Sequence, residues 1–153
     1  KLYDRTNSDF NKHIPPIYFK SYYISLIFKA AKNNDINGIN AVLSKYNLLN
    51  GQNKDGDTVL IHAIENNSLD AARLLLAKGA YVNAVNNRKR TALHYAATLG
   101  NLNIIKLLLS MGADYTLVDD SNMKAIDYAQ ATGQMDAVKT ISQYIEQNKH
   151  QRF

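Results

Sequence analysis

One heptapeptide pattern returns along this chain at a fixed interval of about 33 residues, the length of a helical-repeat unit. Thr91-Ala92-Leu93-His94-Tyr95-Ala96-Ala97 lies one interval after Thr58-Val59-Leu60-Ile61-His62-Ala63-Ile64. It lies one interval before Lys124-Ala125-Ile126-Asp127-Tyr128-Ala129-Gln130. One more step back gives Ser25-Leu26-Ile27-Phe28-Lys29-Ala30-Ala31. The register holds outside the heptapeptide. Asn34, Asn67, Gly100 and Gly133 coincide, and so do the triplets Leu74-Leu75-Leu76 and Leu107-Leu108-Leu109. Gly79-Ala80 and Gly112-Ala113 follow those triplets. A unit of this length cannot bury its apolar face alone, so neighbours must stack and share one continuous core.

Each unit reads as two short helices. Thr58 and Thr91 stand where a hydroxyl caps the first backbone N–H groups of a helix. The first helices are expected over 59–66 and 92–99, with the small Ala63 and Ala96 letting a neighbouring helix approach. Gly100 and Gly133 end the first helix in a left-handed conformation, and asparagine at 34 and 67 is the usual second choice for it. Second helices are expected over 69–78 and 102–111, stopped by Gly79 and Gly112. The polar, Asn-rich segments that follow read as extended fingers turning between units. Lys89 occupies the place of Gly56 and Asn122, where a turn wants positive φ. A lysine there strains the turn, so a different turn is expected in the third finger.

The pattern resembles the ankyrin repeat in its period and in the T-P-L-H-x-A signature. The match is best over 53–85 and 86–118, and looser over 21–52 and 119–147. The resemblance implies an all-α solenoid of about four helix-turn-helix repeats with short β-like fingers. The outer two repeats act as caps. Thr140-Ile141-Ser142 replaces the leucine triplet in the last unit, and Gln143, Glu146, Gln147 and Lys149 give it a polar outer face. Asn40-Ala41-Val42-Leu43 replaces the triplet in the first unit. Residues 1–20 form an N-terminal extension. Its stretch His13-Ile14-Pro15-Pro16-Ile17-Tyr18-Phe19 reads as extended and as packing over the end of the first repeat. Residues 148–153 are a tail, with fraying expected from Gln147.

The chain has 153 residues, 46% hydrophobic and 20% charged, which suits one folded domain. It has no cysteine, so thiol chemistry and Cys-ligated metals are absent. The longest apolar stretch, 14–31, is broken by Pro15, Pro16, Lys20 and Lys29, so no membrane span is expected. No phosphate-binding, dinucleotide-binding or nucleophile-elbow motif occurs. His94 lacks an acid or nucleophile at useful spacing, and the resemblance implies a structural role for it between adjacent repeats. His62 and His94 lie almost a full repeat apart with no second histidine beside either, so no zinc set is read from the sequence. Asp55-Gly56-Asp57 lacks the closing glutamate of a calcium loop, and Asp119-Asp120 is read as a solvated turn. The expectation is a non-enzyme without metal or cofactor.

The resemblance also implies which surface meets a partner: the finger tips and the exposed side of each first helix. Carried over by register, the tips are Lys54, Asp55 and Asp57, then Asn87, Arg88 and Arg90, then Asp120, Ser121 and Met123. The helix side adds Lys32, Asn33, His62, Glu65, Asn66, Tyr95, Thr98, Leu99 and Tyr128. Tyr95 and Leu99 read as anchors, because an aromatic beside an apolar residue supplies a hot spot. The expected partner is another protein, acidic opposite Arg88 and Arg90 and basic opposite Asp55, Asp57 and Asp119-Asp120. The chain's charge of +5 divides into +4 over 1–50, +2 over 51–118 and −1 over 119–153. That balance and the Arg88-Lys89-Arg90 run leave a nucleic-acid or anionic surface as the rival partner. The interleaved aspartates repel phosphate and disfavour it. A soluble, cytoplasmic monomer is the favoured setting. The chain does not begin with Met, which leaves secretion or the periplasm open.

Overall fold

A computed structural model of the chain describes residues 16–149. Four helix pairs follow one another: α1 (Pro16–Lys32) and α2 (Ile36–Leu43), α3 (Val59–Glu65) and α4 (Leu69–Ala77), α5 (Ala92–Leu99) and α6 (Leu102–Ser110), α7 (Ala125–Ala131) and α8 (Met135–Lys149). The all-α repeat architecture is the expected one. Among the described residues the fingers contribute a single isolated β-bridge, Gln52 with Thr58.

The first helices stack in the order α1, α3, α5, α7, while α2 lies on α4 and α6 on α8. Leu60 and Leu93 hold equivalent, fully buried places in successive layers. Ile126 is the next in register and is half-buried, packed against the same core. It belongs to the last layer, which no further described repeat covers. Ala63, Ala96 and Ala129 are wholly buried between first helices. The leucine triplets split as a helix requires: Leu75, Leu76, Leu108 and Leu109 are buried, and Leu74 and Leu107 only partly so. One apolar cluster runs from Ile27 to Ile141, as stacked units sharing a core must produce.

The helix ends are set by the residues that the register singled out. Thr58 Oγ1 accepts from Ile61 N–H at 3.1 Å, and Thr91 Oγ1 from His94 N–H at 3.4 Å. Where Lys124 replaces the threonine, Asp127 reaches back and accepts from the Lys124 N–H at 2.8 Å. Asn34, Asn67, Gly100 and Gly133 all carry positive φ, from 55° to 73°. They turn the chain between the two helices of each pair.

Two boundaries differ from expectation. Helix α1 begins at Pro16, so residues 16–19 are helical rather than extended. Proline fits the first helical position, where its missing N–H has no partner to lose and its φ is already helical. At the other end α8 holds through Lys149, tied by Asn148 Nδ2 to the Tyr144 carbonyl at 2.9 Å and by a Lys149–Glu146 ion pair at 3.2 Å. The expectations for residues 1–15 and 150–153 lie outside the described residues.

Candidate docking surface

The fingers are built on one side chain apiece. Asn53 Oδ1 accepts from the N–H groups of Asp55 and Asp57, each at 3.0 Å. Asn86 Oδ1 does the same for Arg88 and Arg90, and Asp119 Oδ1 for Ser121 and Met123, all at 3.0 Å. These three residues share one position of the repeat, and their acceptor oxygens fold each finger into the same turn. The turn needs a left-handed residue at its fourth position. Gly56, Lys89 and Asn122 supply it with φ of 76°, 58° and 60°. The expectation of a different turn at Lys89 is therefore corrected: the lysine takes the strained conformation because the Asn86 brace holds its neighbours in place.

Backbone hydrogen bonds then join finger to finger. Asn87 N–H donates to the Asp55 carbonyl and Asp120 N–H to the Arg88 carbonyl, both at 3.0 Å. Asn87 Nδ2 adds a bond to the Lys54 carbonyl at 3.1 Å. The tips form a hydrogen-bonded comb.

Below the tips, side chains link successive repeats. Asn86 Nδ2 donates to Asp57 Oδ1 at 2.8 Å and to the Tyr95 hydroxyl at 2.9 Å. One repeat further on, Arg90 Nε donates to Asp119 Oδ2 at 3.1 Å and Arg90 Nη2 to the Tyr128 hydroxyl at 2.8 Å. The Tyr128 hydroxyl in turn donates to Asp119 Oδ2. The Arg90 guanidinium stands 4.9 Å from the Tyr128 ring centroid, within cation–π range. Burial pushes the Asp119 carboxyl up. Bonds from Tyr128, the Met123 N–H, Arg90 and the Ser121 N–H outweigh it and hold the pKa at about 2. Burial, and then the Asp119 acceptor, raise the Tyr128 phenol.

His94 is a second link. It is 2% exposed, its Nδ1 lies 3.0 Å from the Thr91 N–H, and its Nε2 lies 2.9 Å from the Met123 carbonyl. An N–H facing Nδ1 and a carbonyl facing Nε2 assign the neutral tautomer with the proton on Nε2. Burial lowers its pKa, which agrees with that assignment. This is the inter-repeat role that the resemblance implied.

The anticipated surface thus separates into two groups. Asp57, Arg90, Met123 and Tyr128 are engaged inside the scaffold, and Arg90 in particular does not present a free charge. Tyr95 is half-buried and accepts from Asn86. Asn66 and Thr98 bond back to carbonyls of their own helices, at 2.8 Å from His62 and 2.9 Å from His94. Lys32, Asn33, Lys54, Asp55, Glu65, Asn87, Arg88, Asp120 and Ser121 are exposed, and Leu99 is 42% exposed. Two hollows lie between the fingers and the first helices. One of about 560 Å³ is lined by Ile24, Phe28, Gln52, Lys54 and His62, among others. One of about 240 Å³ is lined by Asp55, Asp57, Glu65, Asn86, Asn87, Arg88 and Tyr95. The structural weight of Asn53, Asn86 and Asp119 escaped the sequence reading, although their spacing by one repeat was a visible signal.

A repeat solenoid of paired helices with hydrogen-bonded fingers is the class that this fold defines. The family model described as "Ankyrin repeats (3 copies)" matches residues 27–119 and again 85–152, and the chain belongs to the ankyrin-repeat family. No curated protein matches the chain. Ankyrin repeats are generally protein–protein interaction modules and are typically non-catalytic. No helix among the described residues is long and apolar enough to cross a membrane.

Proposed function

We propose that this chain is a monomeric, non-catalytic interaction module. It receives a segment of another protein along the groove between its finger tips and first helices. One observation carries the reading: exposed charged and apolar side chains stand on a frame that hydrogen bonds have already fixed. Arg88 projects from a finger tied on both sides, and the exposed Leu99 lies in α5, the helix that follows that finger. A preorganised surface loses little entropy on binding, so modest contacts suffice for affinity.

The fitting partner brings a carboxylate to Arg88 and an apolar side chain to Leu99. Lys54 offers a second positive charge beside the apolar hollow of Ile24 and Phe28. Arg90, Asp57, Tyr95, Met123 and Tyr128 serve this surface by holding its frame, while Asp55, Glu65, Asn87, Asp120 and Ser121 set its charge pattern. His62 contributes its half-buried ring. Phosphate fits poorly, because Asp55, Asp57 and Glu65 line the same hollow as Arg88. Immobilised protein should retain a defined partner that Arg88→Glu and Leu99→Ser each release, with melting temperatures unchanged. Charge reversal at Arg88 should slow association and weaken its salt dependence. A partner held equally by all three forms would remove this groove from consideration. A nucleic acid held with a steep log–log salt slope would install the rival reading.

A further inference from the structure

A buried carboxylate is ordinarily paired with a cation, and among the described residues none forms an ion pair with Asp57. It is 7% exposed. One oxygen accepts from Asn86 Nδ2 at 2.8 Å. The other takes no hydrogen bond from a described residue. No fully buried side-chain nitrogen or oxygen among the described residues lacks a partner, so this oxygen keeps some exposure, and Asp57 lines the hollow between the fingers and α3. At the next junction between fingers the buried carboxylate, Asp119, is met by Arg90.

Two further metal-ligand types surround Asp57. His62 and Glu65 are three positions apart on α3 and share a face. One donor atom from each of Asp57, His62 and Glu65 lies within 4.8 Å of the others. The His62 ring rests against Phe28, with centroids 5.2 Å apart, and its nitrogens bond to no described residue. In register, these positions hold Arg90, Tyr95 and Thr98 in the third repeat and Met123, Tyr128 and Ala131 in the fourth. The second repeat is the one of these three in which all three positions can bind a cation.

We propose that Asp57, His62 and Glu65 form a binding site for a divalent transition-metal ion of the zinc class. One imidazole and two carboxylates neutralise a dication. The imidazole turns the preference away from magnesium and calcium, which take oxygen sets. Donors about 2.0–2.1 Å from a tetrahedral zinc sit about 3.4 Å apart, and the exposed Glu65 can swing to close that distance. Asn86 acts from behind the site, orienting the Asp57 carboxylate as an outer-shell partner does. Three protein ligands leave a fourth position for water or for a donor from a partner. Arg88 lines the same hollow as Asp57 and Glu65 and competes with the ion. This site does not depend on the docking reading.

The test is a titration of the full chain with zinc ion alone, by calorimetry in chelator-stripped buffer at neutral pH. We expect uptake of one zinc per chain, a higher melting temperature with zinc, and a perturbed His62 ring signal by NMR. His62→Asn and Glu65→Gln should each weaken uptake by about tenfold or more, the scale on which even outer-shell changes act. Both variants should keep the wild-type circular dichroism. Arg88→Ala should tighten binding, and removing His13 and His150 together should leave it intact. No one-to-one uptake at millimolar zinc would overturn the proposal. So would uptake indifferent to both His62→Asn and Glu65→Gln, uptake lost with His13 and His150, or calcium bound more tightly than zinc.

Discussion

The second and third fingers are joined by an amide, the third and fourth by a guanidinium. The frame is the same at both junctions. The bracing residue of the later finger reaches back to the residue just before the helix cap of the earlier one. At the first junction the carboxylate comes from the earlier finger (Asp57) and the donor from the later (Asn86). At the second the order is reversed, with Arg90 donating to Asp119. Tyr128 closes the second junction over the ion pair, and at the equivalent place beside Asp57 the chain has Tyr95, which bonds to Asn86 and leaves the carboxylate uncovered. The charges of the second junction cancel internally. The first leaves a carboxylate facing a groove that also holds a histidine and a glutamate. A repeat protein keeps its register through backbone turns, which frees the side chains behind them to be mechanical at one junction and chemical at the next.

The strongest way to break this comparison is to remove the two braces in turn. Asp119→Ala leaves the Ser121 and Met123 N–H groups of the finger without their acceptor, strands Arg90 in a half-buried place and leaves the Tyr128 hydroxyl without its acceptor. A loss on the order of 3 kcal/mol is expected, because an uncompensated, partly buried charge remains. Asn86→Ala likewise leaves two backbone N–H groups, of Arg88 and Arg90, without their acceptor, but otherwise strands only neutral groups and one carboxylate that opens to the groove. Its cost should be about 1–2 kcal/mol. Urea unfolding of both variants measures the gap, and equal losses would mean that the ion pair adds nothing to the second junction.

Acid sharpens the same contrast. Asp119 has its pKa held down at about 2, so its contribution is complete above the unfolded value near 4. That contribution is lost as pH falls from about 4 toward 2. At about 1.4 kcal/mol per unit of pKa, it is on the order of 2 kcal/mol. Asp119→Asn should flatten the stability profile in that window. His94 acts higher on the scale. Its folded-state pKa is lowered by burial, so the unfolded chain binds the proton more readily. Stability should therefore begin to fall as pH drops below about 6.5, and His94→Gln should lack this part of the slope. Denaturant midpoints measured on either side of each window separate the two groups. A wild-type profile that stays level as pH falls through the ordinary histidine range would contradict the assignment of His94 as a neutral link.

Much of this could be read from spacing alone. Four left-handed stops and two threonine caps follow from local chemistry that recurs at a fixed interval. The first turn of α1 could not be read, because a proline pair fits an extended segment as well as a helix start, and only packing chooses. The Arg90–Asp119–Tyr128 group was hidden for another reason. Arg90 and Tyr128 are 29 and 9 residues from Asp119, and nothing local brings the three together. Meeting them requires knowing that each finger's root touches the cap of the one before. The metal-ligand set at Asp57 was hidden because a second histidine is the usual sign of such a site, whereas here α3 supplies a carboxylate one turn after its single histidine.

Lys89 offers the smallest test and isolates the backbone from these side-chain links. A lysine in the left-handed region costs about 1–2 kcal/mol relative to glycine. Glycine loses about 0.5–1 kcal/mol of that advantage through the greater freedom of the unfolded chain. Lys89→Gly should therefore stabilise by somewhat under about 1 kcal/mol, seen as a higher urea midpoint with an unchanged slope. Gly56→Ala should act in the opposite direction. Its Cβ would meet Asn87 Oδ1 and come within 2.8 Å of the Asn87 backbone nitrogen, where the neighbouring finger cannot give way. The two substitutions probe equivalent places in adjacent fingers, so opposite signs are required if the brace sets the turn. A destabilised Lys89→Gly would mean that the lysine side chain itself holds the third finger, and the fingers would then differ in their frame as well as in their chemistry.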